Sequence, residues 1–426
     1  MLENVKQVLV DALNIDEASI TPEATLSDDL DIDSLSAVEL ALEWNSIINL
    51  KGGIDEITAF DTSDFRVKLA AEVKDLDMEA YFSKRDLKFN DRFTQFARIA
   101  AKQAMENVHF NDTSKVGVII GSGIGGIDTI SNAQVNLMER GPGRVSPFFI
   151  PMSLVNLAAG QVAIDFDLKG TCMSVVTACA AATNSIGEAF HKIKAGQLEA
   201  CLAGGAEASI SPVAVAGFMQ MKALSTETDK NKASIPFDVN RSGFVMGEGA
   251  GILVLEELEH AKARNATILA EVVGYGSTCD AHHITAPAED GSGAAHAMRL
   301  ALKDAEIESH EIDYINAHGT STPLNDKTET KAIHAIFNHD DLMVSSTKSF
   351  TGHLLGASGA IEAIISVLAL QNQLVPDTLN TSEQDSECDL NISKNQNTPK
   401  DLKYVMSNSL GFGGHNASLI FKKWED

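Results

Sequence analysis

The stretch Met173-Ser174-Val175-Val176-Thr177-Ala178-Cys179-Ala180-Ala181-Ala182-Thr183-Asn184 passes from a β-branched run through one cysteine into small residues. The first part predicts a strand over Met173–Val176, and the last a helix that ends near Gly196. A thiol at such a junction meets unpaired backbone N–H groups and the positive end of the helix dipole, which favour its anion. Its small neighbours leave room for a substrate carbonyl. The pattern predicts an acyl-accepting nucleophile. The other cysteines, Cys172, Cys201, Cys279 and Cys388, read as inert small hydrophobes.

Outward from this junction, strands and helices alternate. Val116–Ile120 leads into the glycine-rich stretch 121–126. Leu202–Gly205, Gly251–Leu255, Tyr314–Asn316, Val344–Ser346, Tyr404–Met406 and Ala417–Phe421 read as further short apolar strands. This rhythm predicts an α/β protein whose sheets are covered on both faces by helices. Glycine-containing turns after strands in separate halves suggest a duplicated unit.

Three further motifs supply partners for the cysteine. In Asn316-Ala317-His318-Gly319-Thr320-Ser321-Thr322-Pro323 a histidine lies in a tight turn after a strand, with hydroxyls beside it for a polar ligand. In Ser346-Thr347-Lys348-Ser349-Phe350-Thr351-Gly352-His353 a lysine and a second histidine precede a helix of small residues. A histidine at a helix start tends to stay neutral, which suits hydrogen-bond donation to a developing oxyanion. In Asn408-Ser409-Leu410-Gly411-Phe412-Gly413-Gly414-His415 the glycines allow a main-chain N–H to approach a reacting oxygen, and Phe412 is the one bulky group. A thiolate, two neutral donors and preorganised N–H groups are what a decarboxylative condensation requires.

Charge separates the first tenth of the chain from the rest. The net charge is −26 over 426 residues, and residues 1–43 hold 11 acidic residues against one lysine. Such a segment repels nucleic acid and anionic membrane and suits a basic patch on a protein, although a solvated acidic arm is the commoner meaning. Val5, Val8, Leu9, Ala12 and Leu13 recur at helical spacing, and Ser34 in Asp33-Ser34-Leu35 opens a second helix with Leu35, Val38 and Leu42 on one side. On residue type alone Ser34 is an N-cap. Met1 to Asn14 shows no basic stretch with a cleavage site, so no signal peptide is expected. The longest apolar region, Ala357 to Leu370, is interrupted by Glu362 and reads as too short to span a bilayer. Five scattered cysteines without CxxC spacing point to a reducing cytoplasm, with no disulfide framework and no metal site.

Taken together, residues from about Trp44 to Lys423 resemble the condensing enzymes, most closely the elongating β-ketoacyl-acyl carrier protein synthase II group. Pro236-Phe237-Asp238 and Arg241-Ser242-Gly243-Phe244-Val245-Met246-Gly247-Glu248-Gly249 carry the likeness too. Asp33-Ser34-Leu35 resembles acyl carrier proteins, in which that serine bears phosphopantetheine. The resemblance implies a thiolase-like fold of duplicated βαβ halves in an α-β-α-β-α arrangement. It divides the chain into truncated carrier helices (1–43), an N-terminal half (44–270) and a C-terminal half (271–426). Here the family's first strand and glycine turn are missing. The resemblance further implies that Cys179 takes an acyl group and that His318 and His353 stabilise the enolate of decarboxylated malonyl-carrier. The N–H groups of Cys179 and Phe412 would hold the oxyanion. Lys348, paired with Glu362, tunes the site, and Asp326 supports it. Thr320 and Thr322 would contact pantetheine, and Ile124, Phe218 and Phe412 would line or gate the acyl tunnel. Lys84, Arg85, Lys88 and Arg92 would face an acidic carrier, in a patch weakened by Phe89. The synthase needs no cofactor of its own. A homodimer is expected. The rival is an inactive fusion that retains carrier binding alone.

Three patterns compete. Gly121-Ser122-Gly123-Ile124-Gly125-Gly126, with Glu139 downstream, fits a dinucleotide loop but lies mid-chain, and alone is weak. Ser345-Ser346-Thr347-Lys348 fits SxxK without its companion motifs. His282-His283 are adjacent and share a metal poorly, so loop histidines are the simpler reading.

Overall fold

The computed structural model describes residues 44–74, 76–394 and 396–425. Ser34 and the acidic segment lie outside them. Nine principal strands make two sheets. The first sheet comprises β1 (Val116–Gly121), β2 (Cys172–Met173), β3 (Ala200–Glu207) and β4 (Gly249–Glu256), in the order β2-β1-β3-β4. The second comprises β5 (Ala270–Cys279), β6 (Tyr314–Asn316), β7 (Met343–Ser345), β8 (Tyr404–Gly411) and β9 (His415–Lys423), in the order β5-β9-β8-β6-β7. In each sheet two parallel pairings, β2·β1·β3 and β7·β6·β8, are followed by one antiparallel pairing, β3·β4 and β8·β9. The repeat is therefore internal to the chain. In the second sheet β5 adds an antiparallel strand outside β9. Among the described residues, β4 has no such neighbour.

Helices layer these sheets because parallel strands with apolar residues on both faces must be covered twice. Helices α3 (Ala181–Lys194) and α6 (Ser358–Asn372) lie between the sheets and contact both. Small residues allow this: Ala181, Ala182, Ser185, Gly187 and Ala189 of α3 are buried, as are Gly359, Ala360 and Ala363 of α6. Helices α1 (Arg92–Ala104) and α2 (Leu157–Asp165) cover the outer face of the first sheet, and α4 (Ser292–Ala305) covers the second. Helix α1 shows the sequence logic: Asp91 caps it by accepting from the Phe93 N–H, and Phe93, Phe96, Ala97 and Ala101 form its buried stripe.

Three expectations are corrected. The strand before the cysteine is two residues long, because β2 is an edge strand whose pairing with β1 ends at Ile119↔Met173. That edge also leaves Cys172 exposed, and Cys279 is exposed at the end of β5, so neither is a core hydrophobe. The apolar segment is longer than its sequence suggests: Leu355–Asn372 spans 18 residues at mean hydropathy 1.3, enough by composition to cross a bilayer. It is 78% buried inside the protein and serves as its central helix.

Candidate active site

Cys179 lies in a 3-10 turn, Ala178–Ala180, directly ahead of α3. Ala178 before it has φ 50°, a left-handed conformation that a side-chain-bearing residue adopts only where its surroundings enforce it. The other half supplies the wall opposite. β8 and β9 meet in a hairpin whose tip carries Phe412. Gly411 lets this tip close in, since a Cβ there would lie 2.8 Å from the Thr177 carbonyl and 3.2 Å from the Cys179 nitrogen. As a result the backbone N–H groups of Phe412 and of Cys179 itself both stabilise negative charge at the sulfur. Those donors suit an oxyanion formed on a carbonyl bound there.

The resting thiol is not an anion, and the expectation from the helix dipole is corrected. Burial pushes Cys179 up to about 12, while the Lys348 cation and the Phe412 N–H pull down and Glu207 pushes up. Desolvation outweighs the dipole at a fully enclosed sulfur.

The two histidines come from the turn after β6 and the segment after β7. Their rings stand 5.3 Å apart at 84°. His353 shares a hydrogen bond with the Ser358 hydroxyl through Nδ1 at 2.8 Å, which leaves Nε2 for a ligand. Phe244 links them to Cys179: it shares a buried apolar cluster with that residue and stands 5.1 Å from the His353 ring. Burial and then the Lys348 charge hold both imidazoles well below their ordinary 6.5, and the neighbouring imidazole adds to this at His318. Both are neutral at physiological pH, and neutral imidazoles can donate without a charge to neutralise. Lys348 is buried and paired with Glu362 on α6. Its charge reaches Cys179, His318 and His353 alike.

The remaining expected residues surround this centre. Thr320 and Thr322 share a hydrogen bond at 2.9 Å beside His318. Asp326, buried on α5 (Pro323–His334), accepts from the Phe237 N–H at 2.9 Å and stands 3.4 Å from Arg241. Ile124 and Phe218 pack in the apolar cluster that contains Cys179, and the Phe218 ring is 6.4 Å from that of Phe412. Lys84, Arg85 and Lys88 are exposed on the short helix Lys84–Phe89. Arg92 does not join them: its guanidinium is engaged by Glu248 at 2.7 Å, a carboxylate that also accepts from the Val73 N–H.

Two buried carboxylates escaped the sequence reading. Glu329 accepts the N–H groups of His318 and Gly319, each at 2.8 Å, and so fixes the first histidine's turn. It stands three residues after Asp326 on α5, a spacing that puts both on one face. Glu207 ends the apolar strand β3, and a charge there was the available signal, since such residues are rarely buried unpartnered. Glu207 also answers the dinucleotide reading: its carboxylate takes the N–H groups of Gly123 and Ile124 that a phosphate would need. The SxxK pattern dissolves likewise, because the Ser345 hydroxyl is bonded to Tyr314 at 2.7 Å. His283 accepts the Thr285 and Ala286 N–H groups within its own loop.

A cysteine from one sheet's inner helix, facing a hairpin from its duplicate, defines a thiolase-like architecture. Family models agree in sequence: "Beta-ketoacyl synthase, N-terminal domain" matches residues 37–261 and "Beta-ketoacyl synthase, C-terminal domain" matches 269–382. The chain belongs to the β-ketoacyl synthase family. A "Phosphopantetheine attachment site" model matches residues 3–51 and overlaps the synthase match at 37–51. Among curated relatives, 3-oxoacyl-[acyl-carrier-protein] synthase 2 of Staphylococcus aureus (strain COL) is 51% identical over 388 residues, 90% of this chain and 94% of its own. The protein of the same name from Synechocystis sp. is 48% identical, covering 90% and 94%. Among solved structures, a β-ketoacyl synthase from Burkholderia phymatum matches with TM-score 0.84 and 34% identity, over 90% of this chain and 95% of that one. A type II polyketide ketosynthase solved in complex with its acyl-carrier protein matches at TM-score 0.84 and 30% identity, over the same shares.

Proposed function

We propose that this chain joins an acyl group to a malonyl-derived unit on acyl carrier protein, giving 3-oxoacyl-carrier and CO2 in fatty-acid elongation. One observation carries the reading. The Cys179 sulfur meets two backbone N–H groups, and the Lys348 charge acts on it and on both neutral imidazoles alike. The sulfur attacks the acyl-carrier thioester, releasing the carrier thiol and leaving the acyl group on Cys179. Malonyl-carrier then enters, and loss of CO2 leaves an enolate that accepts hydrogen bonds from His318 and His353. Its carbon attacks the acyl-cysteine carbonyl, whose oxygen becomes an oxyanion beneath the Cys179 and Phe412 N–H groups. Collapse expels the Cys179 sulfur, which regains a proton, and the 3-oxoacyl-carrier leaves. Burial, with the Lys348 charge second, holds both imidazoles neutral; Glu362 balances Lys348, and Asp326 with Arg241 braces the Thr320–Thr322 segment against which pantetheine lies. Ile124, Phe218 and Phe412 line the acyl chain's path.

The carrier docks on Lys84, Arg85 and Lys88, whose exposed cations suit an acidic protein. Ser34 is the position for phosphopantetheine in the N-terminal segment. The synthase works as a homodimer in the cytoplasm. Exposed apolar residues concentrate between 130 and 176, with Val135, Met138, Ile150, Leu154, Ile164 and Val176 each open to solvent, as at an interface. All five cysteines are free, which suits a reducing compartment. The inactive-fusion reading is disfavoured by relatives sharing about half their residues over 90% of the chain.

Incubation with an acyl-carrier thioester tests this directly. Intact-mass analysis is expected to show one acyl adduct on Cys179, which malonyl-carrier then discharges with CO2 release. A purified, folded chain that never acquires the adduct would sink the proposal.

A further inference from the structure

The turn after β1 presents consecutive backbone N–H groups, the kind of concavity that binds anions. Here the anion is built in. Glu207 is fully buried and accepts from the Gly123 N–H at 2.7 Å, the Ile124 N–H at 3.2 Å and the Gly356 N–H at 3.0 Å. The Ser122 and Ser209 hydroxyls complete the set at 3.0 and 3.1 Å. All five donors are neutral, and they come from three segments far apart in sequence. Two of these segments carry the wall around the nucleophile. Ile124 is one wall residue, and Leu355, beside the gripped Gly356, is another; both pack in the cluster that contains Cys179.

The grip is close. A Cβ on Gly356 would lie 2.1 Å from the Gly123 nitrogen and 2.8 Å from Glu207 Oε2. Leu355 sits at φ 49°, a strained conformation that survives because its neighbours are held. We propose that Glu207 is a positioning residue that fixes the gap between Ile124 and Leu355, and so selects the acyl chain length admitted to Cys179. This rests on the condensing role above.

Labelling Cys179 in the full chain with iodoacetamide and with its N-octyl derivative tests the proposal. Peptide mass mapping is required because Cys172 and Cys279 are exposed. In Glu207→Gln the octyl-to-parent rate ratio at Cys179 is expected to change by at least about threefold, the scale of one lost hydrogen bond. Glu207→Asp keeps the charge but shortens the reach, so it should change the ratio and leave the pH profile in place. Ser209→Ala removes one donor and supplies the same ratio measurement if Glu207→Gln does not fold. A wild-type ratio in each folded variant would overturn the proposal. Labelling needs no turnover, so a wild-type chain that labels yet never takes an acyl group would count against the condensing role alone.

Discussion

In the C-terminal sheet β9 is paired on both sides, by β8 across eight register positions and by β5 across nine. In the N-terminal sheet β4 holds the equivalent place and pairs with β3 alone among the described residues. Residues 249–256 make no other backbone hydrogen bond there. Leu253 and Leu255 remain half-buried, packed with Trp44 and Ile47 in the central core. Among the described residues, the half that carries Cys179 thus lacks the outer antiparallel strand that covers β9 in the other half. Cys179 opens the buried helix α3, His318 follows the inner strand β6 and Phe412 tips the β8–β9 hairpin, so none of them hangs on β4. Edge pairing bears on stability and association behaviour.

Removing the nucleophile separates the halves most sharply. Cys179→Ala should lower condensation by on the order of 10⁵-fold and abolish the acyl adduct. Any surviving adduct would move the nucleophile elsewhere. Glu362→Gln should come next, because it leaves the Lys348 cation buried without its counter-charge. A loss of about 3–5 kcal/mol in urea unfolding is expected, and an unchanged midpoint would refute the pairing's role.

His318→Ala and His353→Ala should each reduce condensation by about 10²–10³-fold while acylation of Cys179 continues. Loss of acylation in either variant would erase the division of labour between halves.

Glu329 gives a pH-dependent contrast with its N-terminal counterpart Glu207. Burial pushes Glu329 up from 4.5 to about 7, against the Gly319 and His318 N–H groups and the Lys348 charge. The folded state therefore holds this proton more tightly than the unfolded chain. Its stabilising contribution is complete below about pH 4.5 and is lost as pH rises through about 7, an effect of about 3 kcal/mol. Unfolding free energies of wild type and Glu329→Gln, compared between these limits, should differ in slope. Parallel curves would refute the assignment. The smallest effect concerns the edge itself. Amides of β4 should exchange with deuterium at least about tenfold faster than those of β9, and equal protection would mean that β4's edge is covered.

Much of this was legible locally. Tyr314–Asn316 and the other inner strands stand out as apolar runs that end in glycine or polar turns, and Cys179 announces itself by the change from β-branched to small residues. β5 was harder, since Ala270–Cys279 contains two glycines and polar residues that blur its period. They are there for packing: a Cβ on Gly276 would lie 2.0 Å from the Ala297 carbonyl of α4.

The amino-acid order by itself determined the alternation of strands and helices, the turns that present Cys179, His318 and His353, and the acidic character of the first 43 residues. Those features depend on spacing and residue type within a few positions. The tertiary structure alone decided that the thiol is protonated, that Arg92 is taken by Glu248, and that Glu207 binds two distant segments. Burial and charge pairing join residues far apart in the chain, as with Arg92 and Glu248, 156 positions apart. A local pattern cannot carry that information, because desolvation depends on everything that closes around a group.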